Sequence, residues 1–188
     1  MADHIKSVIT FVLSNYSLTF LAIGLIFSLA AIAHARQSAK RELIVEKLLS
    51  WHVFWVVGVN GFYNFIMHSV FGRMSAEFIG WADSPFQFEV ATASLGFAAI
   101  GFLAAFRSFD LRLAAIVGHS VFLLGAAAGH IYQMITAHNF APGNAGVIFY
   151  TDILIPIIGF ALLWLAHRRP EPAGAHTDAS MSTFAATR

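Results

Sequence analysis

Cysteine is missing from this chain of 188 residues, and charge is scarce, with only 11% Asp, Glu, Lys and Arg. The first absence excludes disulfides, thiolate metal sites and iron–sulfur clusters, so any metal must be held by His, carboxylate, Met or backbone ligands. The second, with 58% hydrophobic residues and a mean hydropathy of +0.71, sets the chain apart from soluble domains and marks an integral membrane protein. There is also no Lys/Arg cluster with interleaved aromatics, and the formal charge is +1, so no nucleic-acid role is expected.

What the chain has instead is long apolar runs. A hydrocarbon core of about 30 Å needs about 20 apolar helical residues. Five segments meet that length, at 17–34, 51–72, 85–106, 113–137 and 147–167. The expected fold class is all-α, an integral membrane bundle of five transmembrane helices with a short N-terminal interfacial helix. Residues 1–16 form the outer-surface interfacial helix, 17–169 the five-helix transmembrane domain, and 170–188 a disordered cytoplasmic tail rich in Pro, Ala, Ser and Thr. Ala33-His34-Ala35 resembles a signal-peptide cleavage site. No basic segment precedes it, however, and the apolar run is too long, so the first run is read as a span.

The interfacial helix rests on Ile5, Val8, Ile9, Val12 and Leu13, which recur at helical spacing opposite Asp3, Lys6, Ser7 and Ser14. Residues 38–50 read similarly, as a basic amphipathic entry to the second span. Nine of the eleven basic residues share one side, all but Lys6 and Arg73. The N-terminus is therefore expected outside and the C-terminus in the cytoplasm of a prokaryotic inner (plasma) membrane. Trp51, Trp55 and Trp164 near the inner boundary, with Tyr16 and Trp81 near the outer one, fit the interfacial aromatic belts.

Local signals refine the outer side. Ser84-Pro85-Phe86-Gln87 has the form of a capping box for the third helix, and Phe140-Ala141-Pro142-Gly143-Asn144 that of a tight turn with Asn144 as N-cap of the fifth. Gly125 and Gly129 form a GxxxG pair, and Gly101/Ala105 and Ser94/Ala98 are further small-residue pairs. They predict close helix packing within the bundle, with a homo-oligomer contact or a membrane complex partner as the alternative. The lipid bilayer is the first partner.

Buried polarity carries the functional reading. From about 1.5 Å of rise per residue, His68, Glu89, His130 and Asp152 all fall about 7–11 Å from the bilayer centre on the outer side. Asn60, Asn64 and His68 form one stripe on the second helix, and His119 and His130 return to nearly one face of the fourth, with Gln133 and Met134 beside His130. A carboxylate at a helix centre costs about 2.5–3.5 kcal/mol on insertion scales, so Glu89 and Asp152 require partners.

The sharpest reading makes His68, Glu89, His130 and Asp152 ligands of a divalent metal ion, zinc, iron or manganese, with Asn64, Gln133 and His119 around it. A second is a haem b or quinone site with His68 and His130, or Met134, as axial ligands. The third is a small transporter or proton-relay component lined by Asn60, Asn64, His68, Glu89 and His119. A purely structural hydrogen-bonded network is the competing reading for every one of these residues.

The run Ile79-Gly80-Trp81-Ala82-Asp83-Ser84-Pro85-Phe86-Gln87-Phe88-Glu89-Val90, then Gly129-His130-Ile131, Asn139-Phe140-Ala141-Pro142-Gly143-Asn144-Ala145-Gly146 and Tyr150-Thr151-Asp152, resembles an uncharacterised family of small multi-span prokaryotic inner-membrane proteins. The resemblance covers roughly 50–165 and implies a helical inner-membrane bundle. No activity comes with it.

Overall fold

The computed structural model describes residues 2–35 and 41–168. The expected disordered tail at 170–188 lies outside the described residues. All regular structure among the described residues is helical, with no strand. Helix α1 (Ala2–Ser14) leaves Ile5, Val8, Ile9, Phe11 and Leu13 exposed along its length. It ends at Asn15, whose Nδ2 donates to the Phe11 carbonyl at 2.9 Å.

Helix α2 (Tyr16–Ala33) buries only Ser17, Gly24 and Ser28, a stripe of small residues on an otherwise lipid-compatible surface. A Cβ on Gly24 would lie 3.2 Å from that of Trp55. The helix therefore lies directly on the next element, an unbroken helical rod from Arg41 to Ser69: α3 (Arg41–His52), a π-helical segment (Val53–Val59) and α4 (Asn60–Ser69). The first part of that rod is not the interfacial entry expected from sequence. Val45, Leu49 and Val53 are buried against Ile116, Leu162, Leu163 and Ala166, and this cluster is the main hydrophobic core.

Helix α5 (Gly72–Ile79), which the sequence reading did not separate, ends where Gly80 adopts φ 75°. Helix α6 (Phe86–Ala104) begins after Pro85, and no side chain caps it. The predicted capping box is thus corrected: Gln87 turns its amide across to α4 and α5 instead of back to Ser84. Helix α7 (Phe109–Ala137) is closed by His138 at φ 50°. After the single turn α8 (Pro142–Ala145), α9 (Val147–His167) runs back along α7 with Pro156 inside it. Gly146, not Asn144, stands at the N-cap of α9, and Asn144 is fully buried.

Four helical stretches are long and apolar enough to cross a membrane, Tyr16–Ala33, Phe86–Ala104, Phe109–Ala137 and Pro142–His167, as expected of a multi-pass membrane protein. The second of the five predicted spans is the rod, whose α-helical parts are each too short alone because π-helix separates them. A Cβ on Gly101 would stand 2.5 Å from the Gly58 nitrogen, and one on Gly61 would stand 3.0 Å from the Ser94 carbonyl oxygen, so α6 and the rod touch backbone to backbone. The small residues predicted on α6 do pack within the bundle. Gly129 is covered by the Trp81 ring, whereas a Cβ on Gly125 would meet nothing within 4 Å.

Candidate functional site

A cavity of about 520 Å³ lies between α2, α4, α6, α7 and α9, under the α5–α6 connection. Asn60, Asn64 and His68 reach it from α4, as their i, i+4, i+8 spacing requires. His119 and His130 reach it from α7, and Asp152 from α9. Tyr16 and Ser17 close it from α2: the Tyr16 hydroxyl donates to Asn64 Oδ1 at 2.8 Å, and Asn64 Nδ2 donates to Ser94 Oγ at 2.8 Å. Its lower part is shut by Phe97 of α6 against Phe122 and His119 of α7, with ring centroids 5.3 and 5.8 Å apart. Val121, 68% exposed, Gly125 and Phe86 also border the cavity, on its α6 and α7 sides.

The hydrogen bonds around His130 fix its chemistry. Asn144 Nδ2 donates to the Asn139 carbonyl at 2.8 Å and the His130 carbonyl at 3.3 Å, which orients the amide. Its Oδ1 can then only accept, and it accepts from Trp81 Nε1–H and from His130 Nδ1, each at 2.8 Å. His130 therefore carries hydrogen on Nδ1 and turns Nε2 toward Asp152 Oδ2, 3.5 Å away. Both residues are about 95% buried, at 5% and 4% exposure. A lone pair facing an ionised carboxylate there would be repulsive, so one proton lies between them, as imidazolium–carboxylate or as imidazole–carboxylic acid. Either form is neutral overall, which is what an apolar bundle tolerates.

His68 is held in the same way. Gln87 Nε2 donates to the Gly72 carbonyl at 3.0 Å, so its Oε1 accepts from His68 Nδ1 and leaves Nε2 free. Two imidazoles on different helices are thus locked as Nδ1–H tautomers by amides that are themselves anchored to backbone. Pro156 adds an acceptor. It has no N–H to donate to the Asp152 carbonyl one turn earlier, so that carbonyl lacks its helical partner.

The four predicted metal ligands do not gather. Glu89 is exposed on α6, because the helix begins at Phe86 and turns that position outward, and it does not line the cavity. His68 and the His130–Asp152 pair share the cavity, but among the described residues no group of three or more His, Asp or Glu could hold a metal ion. Asn64 and His119 line the cavity, whereas Gln133 and Met134 do not. Sequence reasoning missed Asn144 and Gln87 as the residues that set the histidine tautomers, having assigned both to helix caps. It missed Trp81 as a donor as well, and His52, which is buried at the junction of α3 and the π-helical segment. The available signal was that Trp81, His130, Asn144 and Asp152 all sit in the motif runs quoted above.

Fold and cavity together define an all-α bundle with four membrane-length helices and a polar chamber enclosed among apolar ones. The model of the family of unknown function DUF6790 matches residues 14–172, and the chain belongs to that family. No curated protein and no solved structure matches the chain.

Proposed function

We propose that this protein is a multi-pass inner-membrane protein whose cavity binds a small hydrogen-bond-donating molecule, which enters from the lipid between α6 and α7 and exchanges a proton with the His130–Asp152 pair. The observation that carries this reading is the set of acceptors around the cavity. His68 Nε2, the Asp152 carboxyl and the Asp152 carbonyl belong to residues around one space, while donors such as Tyr16 O–H and Asn64 N–H are already engaged with each other and with Ser94. An amine or a quinol hydroxyl can donate to these acceptors, and the exposed border at Val121, Gly125 and Phe86 suits a molecule that partitions into lipid. In this reading the Arg41–Ser69 rod is the fifth span, α1 lies on the outer surface with its uncovered apolar residues in the lipid, and the C-terminus is cytoplasmic.

A metal ion is the second reading. The pinning of both imidazoles through Nδ1, with Nε2 turned away from the anchoring amide in each, is the arrangement that supports histidine ligands. Duroquinol and benzylamine, as neutral and cationic donors, test the first reading in thermal unfolding of detergent-purified protein. At a hundredfold excess over Kd a bound donor stabilises by about 2.7 kcal/mol. The shift is expected with one of the two donors and not with duroquinone, and it is lost in Asp152→Asn and in Gly125→Trp, which places an indole at the cavity border. If neither donor moves the unfolding temperature while the same preparation contains stoichiometric zinc, iron or manganese, the metal reading replaces the first.

A further inference from the structure

The end of the bundle remote from Trp81 holds a second recess that the cavity chemistry does not use. This pocket of about 390 Å³ lies where α6 gives way to α7, beside α3 and the end of α9. Arg107 and Ser108 enter it from the α6–α7 connection, Phe109 and Arg112 from the start of α7, Glu46 from α3 and His167 from α9.

Three features suit this pocket to an anion. Arg112 is 5% exposed and its guanidinium is only partly engaged: Nη2 pairs with Glu46 Oε1 at 2.7 Å, whereas Nε–H is buried without a hydrogen-bond partner. A guanidinium has five N–H groups, and an unmet one in the interior is rare enough to require a reason. The second feature is the N-terminus of α7, where Ser108 is extended and no side chain caps the first-turn N–H groups. Charge is the third. Among the described residues of the lining, two guanidiniums and an imidazole stand against one carboxylate. Asp110, also in the first turn, is exposed and does not line the pocket. The Phe109 ring, 5.8 Å from that of His167, keeps the imidazole at the rim.

The depth of the pocket points to the source of the anion. Helix α7 has 29 residues, so at about 1.5 Å each it is about 43 Å long. A bilayer with its headgroup layers is about 40–45 Å thick, so when one end of α7 reaches one surface, Arg107 and Arg112 stand among the headgroups of the other. Arg168 over the Trp164 ring belongs to the same level. Beside the pocket, Leu103 and Phe106 of the α6 end and Leu111 of α7 are exposed, an apolar flank on which acyl chains can lie.

We propose that this pocket binds the phosphate group of an anionic phospholipid. Arg107 and the Arg112 Nε–H donate to its oxygens, and the first-turn N–H groups of α7 add their dipole. A tetrahedral phosphate accepts from several sides at once, as donors from a connection, a helix end and a buried guanidinium require. The site is separate from the His130–Asp152 cavity and independent of which molecule that cavity takes.

The test is thermal unfolding of the full chain in dodecyl maltoside. It is titrated with dioleoylphosphatidylglycerol, with dioleoylphosphatidylcholine at the same mole fraction, and separately with inorganic phosphate at constant ionic strength. A saturable rise in unfolding temperature is expected with phosphatidylglycerol alone. Losing one charged hydrogen bond weakens binding about tenfold, so Arg107→Gln, at an exposed position, should need about tenfold more lipid. Arg112→Lys keeps a cation opposite Glu46 but lacks the Nε–H, and a similar shift is expected; should it not fold, Arg107→Gln carries the test. Arg41→Gln, at the exposed start of α3 and outside the pocket, should leave the titration unchanged. A rise with inorganic phosphate that Arg107→Gln abolishes, with the two lipids alike, overturns the lipid in favour of a soluble phosphate. No rise with phosphatidylglycerol, an unshifted titration in Arg107→Gln, or equal weakening by Arg41→Gln, as a diffuse surface attraction would give, overturns the site.

Discussion

At the scale of single residues the site depends on Asn144 more than on any titratable group. Its one side chain orients Trp81, fixes the tautomer of His130 and ties α7 to the α7–α9 connection through two carbonyls. Asn144→Ala leaves the half-buried Trp81 Nε1–H and the buried His130 Nδ1–H without acceptors, and at about 1–3 kcal/mol for each stranded group the loss should reach about 3 kcal/mol. Chemical or thermal unfolding in detergent measures it. The tautomers are directly observable: nitrogen NMR of histidine-labelled protein should show His68 and His130 with hydrogen on Nδ1. A His130 spectrum dominated by the Nε2–H form would contradict the hydrogen-bond assignment at Asn144.

At the scale of elements, small residues set the distance between helices and so the shape of the cavity. Gly101 and Gly58 let α6 and the rod meet at backbone contact, and Gly61 does the same against Ser94 and Ala98. Gly101→Ala drives a methyl group into the Gly58 backbone, where neither element can yield. A loss toward the upper end of the overpacking range, about 3 kcal/mol, is expected. Gly125→Ala, in a GxxxG pair that looks equivalent in sequence, should be neutral or stabilising by up to about 1 kcal/mol, since the added methyl meets nothing and glycine is a poor helix former. Parallel unfolding of the two variants decides the point, and equal destabilisation would mean that Gly125 is covered in the membrane. The π-helical segment acts at the same scale. Its wider turn resets the phase between α3 and α4, so Leu49 and Val53 face the main core while Asn60, Asn64 and His68 face the cavity.

At the scale of the whole molecule the proposed orientation is open to direct measurement, and the lack of cysteine makes it clean. With single cysteines at Asp83 and Ser108 in intact cells, a membrane-impermeant maleimide should label the first and not the second. Labelling reversed between them would invert the topology. The same scale explains the ends of the bundle. Asn139 bonds the Ile79 and Gly80 carbonyls at 3.0 and 3.1 Å, knitting the α5–α6 connection to the α7–α9 connection into a single cap above the cavity. At the opposite end Arg168 lies 3.8 Å over the Trp164 ring, a pairing suited to a membrane boundary.

Much of the fold was legible in the chain, because lipid asks for long apolar helices and that demand is written in one dimension. The runs at 17–34 and 147–167 reappear as α2 and α9 within a residue at each end. The stripe Asn60–Asn64–His68 and the pairing of His119 with His130 also followed from helical period alone, and these residues do share one cavity. Depth, however, is not direction. Glu89 was expected at the depth of the histidines yet faces outward, since the phase of α6 is set by Gly101 and Ser94 docking on the rod, and no periodicity in α6 itself reveals that contact. Asn144 and Gln87 carried local cap signatures that tertiary partners outcompeted: a buried imidazole N–H left unpaired costs more than an exposed helix end, which water can satisfy. Sequence by itself determined that Asp152, inside a long apolar helix, needed a partner, a demand it made equally of Glu89. Only the tertiary structure decided that Asp152 would find His130 while Glu89 turned outward, because that choice depends on which helix faces meet.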